Sequence, residues 1–338
     1  MRAFFLSLVN FFSYLLYRIL KYIYYDGNIC QFYSSTFLNI IVMKKGAIYA
    51  ATAYLLWGLL PVYWKAIKII PPYEILFHRM CWTFIVCACL LVFTHHVQWL
   101  VKLKNPKTLI TFIGTALIIG LNWFTYIWAV NSGFIVESSL GYFINPLVNV
   151  LFGVIFLKER LRPGQLIAIS IATIGVLYLT FNYGSFPWIA LVLASTFGFY
   201  GLLRKTAALN SLEGVATETG ILFVPALLYI IYLQVNGAGS VGHINFSTTL
   251  LLAGTGVITA FPLLLFTAGA RRITMTTLGV LQYIAPTLQF LIGVFVYGEN
   301  FPQSRLTGFT IIWFALIIYT AEGVYTGHKN YRSAKTSY

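Results

Sequence analysis

Four ionisable side chains stand inside long apolar runs: His78, Arg79, Glu137 and Glu218. A charge at the centre of a membrane helix costs about 2.5–3.5 kcal/mol on insertion scales, so each one demands a reason. Counted from the flanking turns, His78, Arg79 and Glu137 fall roughly one helical turn inside one face of the membrane, and Glu218 roughly one turn inside the other. Two readings of Arg79 and Glu137 are open. In one they form a static ion pair between helices, or snorkel to the interface. In the other Arg79 serves an outer gate or meets a substrate carboxylate, which a planar guanidinium suits. His78 and Glu218 are separated by 140 positions (218 − 78 = 140). They are gating or coupling candidates that would exchange protons at the two ends of a path; capping of a helix start beside Thr217 and Thr219 is the structural alternative for Glu218.

Uncharged polar residues carry the second signal. Asn122, Trp123 and Tyr126 lie in one apolar run, and Tyr142, Asn145 and Asn149 in the next. The spacing i, i+3, i+7 puts the last three on one helix face. Gln282, Tyr283 and Gln289 form a similar stripe far along the chain. Such stripes line a central cavity for a small amphipathic solute, or they are interhelical glue that touches no solute. Pro146 and Pro286 each remove a backbone hydrogen bond beside a stripe and should kink their helices. Together with Gly58 and Pro61 they are the hinge candidates. Glu159 and Glu299 read as caps for the helices that follow them.

Several chemistries have no visible residues. There is no phosphate-binding loop of the G-x-x-x-x-G-K-[ST] kind, since Ala253-Gly254-Thr255-Gly256 lacks the lysine. His95-His96 has no third metal ligand, Asp26 is the single aspartate, and no catalytic set is expected. Neither a metal nor a cofactor is predicted. Cys81, Cys87 and Cys89 share one apolar run without Cys-x-x-Cys pairing, so they and Cys30 read as small apolar fillers.

The elements that must hold these residues follow from composition. Of 338 residues, 59% are hydrophobic and 9% charged, against roughly 25% charged in soluble domains. Lipid, not water, is the expected surround. Ten apolar runs are long enough to cross a bilayer: about 46–66, 73–93, 109–130, 134–157, 165–181, 187–203, 215–234, 248–268, 273–297 and 307–321. The net charge of +14 sits in alternate connections, at Lys44/Lys45, Lys102/Lys104/Lys107, Lys158/Arg160/Arg162, Arg204/Lys205, Arg271/Arg272 and Lys329/Arg332/Lys335. That bias predicts cytoplasmic termini rather than nucleic-acid binding. Lys65, Lys68 and Arg305 are exceptions to it. Residues 1–42 stand apart as an interfacial helix or a mis-assigned start ahead of Met43.

The chain also repeats itself. Residues 141–180 and 281–320 align without a gap, matching Ile144 with Ile284, Pro146 with Pro286, Gly153 with Gly293, Glu159 with Glu299 and Thr180 with Thr320. The same offset matches Trp57-Gly58 with Phe197-Gly198 and Lys65 with Lys205. Each copy holds five spans, over 43–181 and 187–321, before a tail at 322–338. An odd number of spans forces the copies into opposite orientations, the inverted-repeat plan of many secondary transporters.

AYLLWGLLPVYWK, EILFHRMCW, LNWFTYIWAVNSGFIVESSLGYFINPLVNVLFGVIFLKERL and LGVLQYIAPTLQFLIGVFVYGE, in that order, closely resemble the RarD proteins. These belong to the EamA group of the drug/metabolite transporter superfamily. The resemblance covers residues 43 to about 321. It implies an all-α, ten-helix inner-membrane permease made of two inverted five-helix repeats. It also implies a chloramphenicol-sensitivity or resistance label, with export as the direction. The expected partners are a small-molecule solute, protons as a candidate coupling ion, and the lipid bilayer, with the oligomeric state left open. A non-transporting membrane sensor or assembly factor, and a lipid-modifying membrane enzyme, are the alternatives. A sensor calls for a soluble output domain and an enzyme for titratable groups converging at one depth; the sequence offers neither.

Overall fold

A computed structural model describes residues 35–94, 99–132, 134–242, 244–298 and 303–336. The chain divides into two units, Met1–Lys45 and Gly46–Tyr338, and the second holds the helical bundle. Residues 1–34, His95, His96 and Glu299 lie outside the described residues, and with them the readings placed there.

Ten long helical segments follow in order: α1 Ser35–Ala66, α2 Pro72–Phe93, α3 Pro106–Asn131, α4 Ile135–Leu157, α5 Pro163–Tyr183, α6 Trp188–Thr206, α7 Ser211–Val235, α8 Phe246–Ala270, α9 Met275–Val296 and α10 Gln303–Thr336. Among the described residues there is no strand. Nine of the segments are long and apolar enough to cross a membrane. The exception, α6, is short, ends in Arg204-Lys205-Thr206, and buries small residues such as Ala190, Ala194, Gly198 and Gly201. Lipid-facing positions are large and apolar, as at Ile48, Leu55, Leu59 and Val62 on α1. In hydrocarbon each helix must satisfy its own backbone. The ends are therefore closed locally: Asn210 accepts from Glu213 N while Glu213 accepts from Asn210 N, and Thr274 caps Thr277 N.

The two halves are upside-down relative to each other, and three helix pairs show it. Each pairs a helix with its own copy. On α2 and α7, Phe77 meets Tyr229 and Phe84 meets Phe223, at 4.4 and 5.0 Å between ring centroids, so one number rises as the other falls. On α5 and α10, Gly164 abuts Glu322 and Gly175 abuts Gly308 and Ile312. On α4 and α9, Gly279 abuts Pro146 and Gly153 abuts Met275. Antiparallel contact between equivalent helices is what a two-fold axis in the membrane plane produces. Tyr283 donates to the carbonyl of Phe143, its own repeat mate, at 3.3 Å. A Cβ on Gly58 would lie 2.8 Å from Leu288, and one on Gly198 2.8 Å from Val148; both residue pairs are repeat mates. Gly58 thus lets α9 approach α1 closely, and Gly198 does the same for α4 and α6.

The copies differ at their prolines. Pro146 lies inside an uninterrupted α4. Around Pro286, α9 breaks into Met275–Gln282, Ile284–Leu291 and a π-helical turn at Ile292–Val296. The break at Tyr283 falls where the carbonyl of Gln282 has lost its donor to the proline ring.

Candidate functional site

A cavity of about 190 Å³ lies at the junction of the two halves. The first half contributes Trp57, Trp64, Arg79, Asn122, Trp123, Tyr126, Tyr142 and Asn145; the second contributes Phe197, Leu263, Gln282 and Gln289. Pro61 and Pro286 also reach its wall.

Asn145 is anchored at both ends of its amide, whereas Asn122, Gln282 and Gln289 are each anchored at one end. Asn122 Nδ2 donates to Leu193 O at 2.9 Å and to Thr196 Oγ1 at 2.8 Å, which fixes α3 to α6. Asn145 Nδ2 donates to Ala194 O at 3.0 Å. Asn149 Nδ2 bridges Asn145 Oδ1 and Gln282 Oε1, at 3.0 and 2.9 Å. Gln289 Nε2 donates to Trp57 O at 3.3 Å. All of these bonds except Asn149 to Asn145, which lies within α4, join helices, so the stripes do act as glue. The other ends of Asn122 and Gln282 remain available to a solute.

Arg79 is the cation in the wall. Its Nε donates to Thr259 Oγ1 at 3.1 Å, and its guanidinium carbon lies 4.8 Å from the Trp123 ring and 5.4 Å from the Trp64 ring. The electron-rich indole rings attract the charge.

Toward the end of the bundle that carries Lys102, Arg204 and Arg271, the cavity closes on an aromatic layer. Trp57, Phe197 and Phe266 stand 5.1 to 5.7 Å apart by ring centroid, flanked by Tyr54 and Tyr200. Behind the layer, Tyr200 donates to Glu218 Oε2 at 3.0 Å, and Arg204 Nε lies 3.6 Å from Glu218 Oε1. Arg204 also donates to Asn210 O and Ser211 O, and Arg271 to Ala207 O and Leu209 O. Lys205 donates to Ala270 O and Ile273 O. Lys205 and Arg271 thus donate to carbonyls at and just past the C-terminal ends of α8 and α6, where the helix dipoles favour a cation, while Arg204 reaches carbonyls at the start of α7.

The comparisons agree with this architecture. Residues 44–181 match the EamA-like transporter family. The uncharacterized transporter YojE of Bacillus subtilis is 46% identical over 286 residues, covering 82% of this chain and 94% of that protein. The protein RarD of Escherichia coli is 41% identical over 284 residues, covering 84% and 96%. The chain belongs to the RarD proteins of the EamA-like transporter family. A chloramphenicol-sensitive protein RarD of Pseudomonas aeruginosa is 31% identical over 282 residues, covering 82% of this chain and 94% of the relative. A solved crystal structure, 20% identical, superposes with a TM-score of 0.64 over 82% of this chain and 97% of its own, and shares the fold.

This RarD-type chain is therefore a multi-pass membrane transporter, and several sequence expectations about its site need correction. Arg79 and Glu137 do not pair. Arg79 turns toward α8, while Glu137 Oε1 accepts from Ile189 N at 2.7 Å, at the start of α6. Glu218 caps no helix start, because Asn210 and Glu213 already occupy that position and Glu218 lies a full turn further on. Glu159 was expected on α5 and instead caps α9: Met275 N, Thr276 N and Thr276 Oγ1 donate to it at 2.6, 3.0 and 2.8 Å. An αL turn at Lys158, with φ of 54°, swings it away from its own next helix. Removing it with Glu159→Ala is expected to cost about 1–2 kcal/mol, read as a lower melting temperature in detergent.

His78 stands 3.9 Å from Glu74, which accepts from Ser240 N and Oγ and ties α2 to the connection before α8. His78, Glu137, Asn149 and Glu218 are not among the cavity-lining residues. Tyr283 packs with Phe143, Val176 and Phe309 between α4, α5 and α10. Sequence reasoning missed Trp57, Trp64, Phe197 and Thr259. The repeat did flag Trp57 and Phe197 as mates, but aromatic residues alone do not tell a wall from a lipid contact.

Proposed function

We propose that the protein moves a small amphipathic organic solute across a bacterial inner membrane by alternating access between its two inverted halves. The observation that carries this reading is the cavity at the junction of the halves, lined by half-anchored amides and aromatic faces and sealed at its basic end by an aromatic layer. The lysine and arginine bias supports placing that basic end, and both termini, in the cytoplasm. The arrangement then corresponds to an outward-leaning state, with Arg204 and Glu218 locking the inner half. Motion about Gly58, Pro61, Pro146 and Pro286 would transfer the opening, and His78 and Glu218 are the groups through which protons would couple.

The test is flux in proteoliposomes against a panel of small metabolites and chloramphenicol, with and without a pH gradient. In a cysteine-free background, Gln289→Cys is expected to react with a bulky thiol reagent from either side of the membrane in turn, and the adduct to abolish flux. Labelling confined to one side under every solute condition, or flux that ignores the adduct, overturns the reading. Flux indifferent to the pH gradient removes protons from it.

A further inference from the structure

The charge inventory around the cavity identifies the class of solute. Arg79 contributes a full positive charge to the wall, and among the described residues the sole atom that receives a hydrogen bond from it is the neutral hydroxyl oxygen of Thr259. Its terminal nitrogens donate to no described residue, and no carboxylate among the described residues is paired with it.

The chain has eight acidic residues. Asp26 and Glu299 lie outside the described residues, and the other six are engaged elsewhere. Glu74 holds Ser240, Glu137 holds Ile189 N and Glu159 holds the start of α9. Glu213 holds Asn210 N and Lys102, Glu218 holds Tyr200 and Arg204, and Glu322 holds Arg162. Among the described residues, nothing supplies the anion that a guanidinium requires once water is thinned out around it.

We propose that the solute supplies it: the cavity binds a monocarboxylate with an apolar or aromatic body, seated with its carboxylate across the terminal nitrogens of Arg79. The inference rests on the transport reading above and sharpens it. The geometry fits a planar anion. Trp64 and Trp123 place their rings 5.4 and 4.8 Å from the guanidinium carbon, and an aromatic face takes no hydrogen bond from the fork's nitrogens in the way a carboxylate does, so those nitrogens are left for a carboxylate. Tyr126 and Tyr142, 6.1 Å apart by ring centroid, share the cavity wall with it. A single cation neutralises a single negative charge, so a phosphate dianion would enter with charge unmet. The aromatic walls at Trp57 and Phe197 then receive the apolar remainder.

Binding is measured apart from flux, by titrating purified protein with benzoate and with its neutral isostere benzamide. Tryptophan fluorescence is a direct readout, since two indoles flank the guanidinium, and thermal shift is the second. Benzoate is expected to bind at least about tenfold tighter than benzamide, the value of one charge-assisted pair. In Arg79→Gln the two are expected to bind alike, with Arg79→Lys retaining part of the preference because a point charge lacks the fork. Circular dichroism and melting of the apo variants confirm that both fold. Equal binding of the two by the native protein, no binding of either, or a benzoate preference that survives in Arg79→Gln overturns the proposal. Benzoate binding with no flux of any carboxylate leaves the recognition site standing and sinks the transport reading instead.

Discussion

Arg204→Met is expected to lower the stability of the protein by about 3–5 kcal/mol, the cost of leaving one member of a buried ion pair without its partner. The side chains of Arg204 and Glu218 are 0% and 1% exposed. The contact at 3.6 Å is ionic rather than a hydrogen bond, so the charge itself does the stabilising. Loss of Arg204 also removes the side-chain donor shared by the carbonyls of Asn210 and Ser211 at the start of α7, although Asn210 O keeps its bond from Gly214 N. The site is shaped for this one side chain, because a Cβ on Gly214 would fall 1.8 Å from an Arg204 nitrogen. Removing both charges at once, in Arg204→Met with Glu218→Leu, is expected to recover most of the loss, since the desolvation cost disappears with the pair. Melting temperatures of the two single variants and the double variant in detergent decide it. Single variants as stable as the native protein would mean that water or lipid headgroups already solvate the pair.

Phe266→Ala is the second large effect. Phe266 is 0% exposed and touches Tyr54, Trp57, Phe197 and Tyr200, so truncation empties the centre of the aromatic layer. The cost is expected to be about 3 kcal/mol, because the surrounding rings are fixed on two packed helices, α1 and α6, and can only partly collapse into the space. The layer is also the floor of the cavity. A cysteine placed at Gln282 should therefore lose protection toward the basic end of the bundle in Phe266→Ala, reacting faster from that side than it does when Phe266 is present. Unchanged protection together with unchanged melting would show that other side chains make the seal.

Much of this architecture is legible in the sequence, for physical reasons that also explain the gaps. Span positions follow from apolar length, and inversion follows from an odd number of spans in each repeat. Tyr142, Asn145, Gln282 and Gln289 reach the cavity because polar groups in hydrocarbon must face one another or an enclosed space. Partner choice is not readable in the same way. Glu159 stands four positions before Pro163 and reads as a cap for α5, yet α9 presents bare N–H groups closer to it. Arg79 and Glu137 are opposite in sign and read at similar depth, but they point to different neighbours around their helices. Depth along a span comes from counting residues, whereas azimuth depends on which helix packs where. Trp64 was hidden for a related reason: a tryptophan near a span end ordinarily marks the headgroup level.

The antiparallel pairs α2 with α7, α4 with α9 and α5 with α10 carry a consequence for biogenesis. Each interface takes one helix from either copy, so the first five helices leave the ribosome before the surfaces they are shaped for exist. Facing residues such as Gly153, Gly164 and Gly175 must wait in lipid until the second copy is threaded in with the opposite polarity. Neither half is then a self-sufficient folding unit, and a gene cut between α5 and α6 would yield two fragments that depend on meeting in the same membrane.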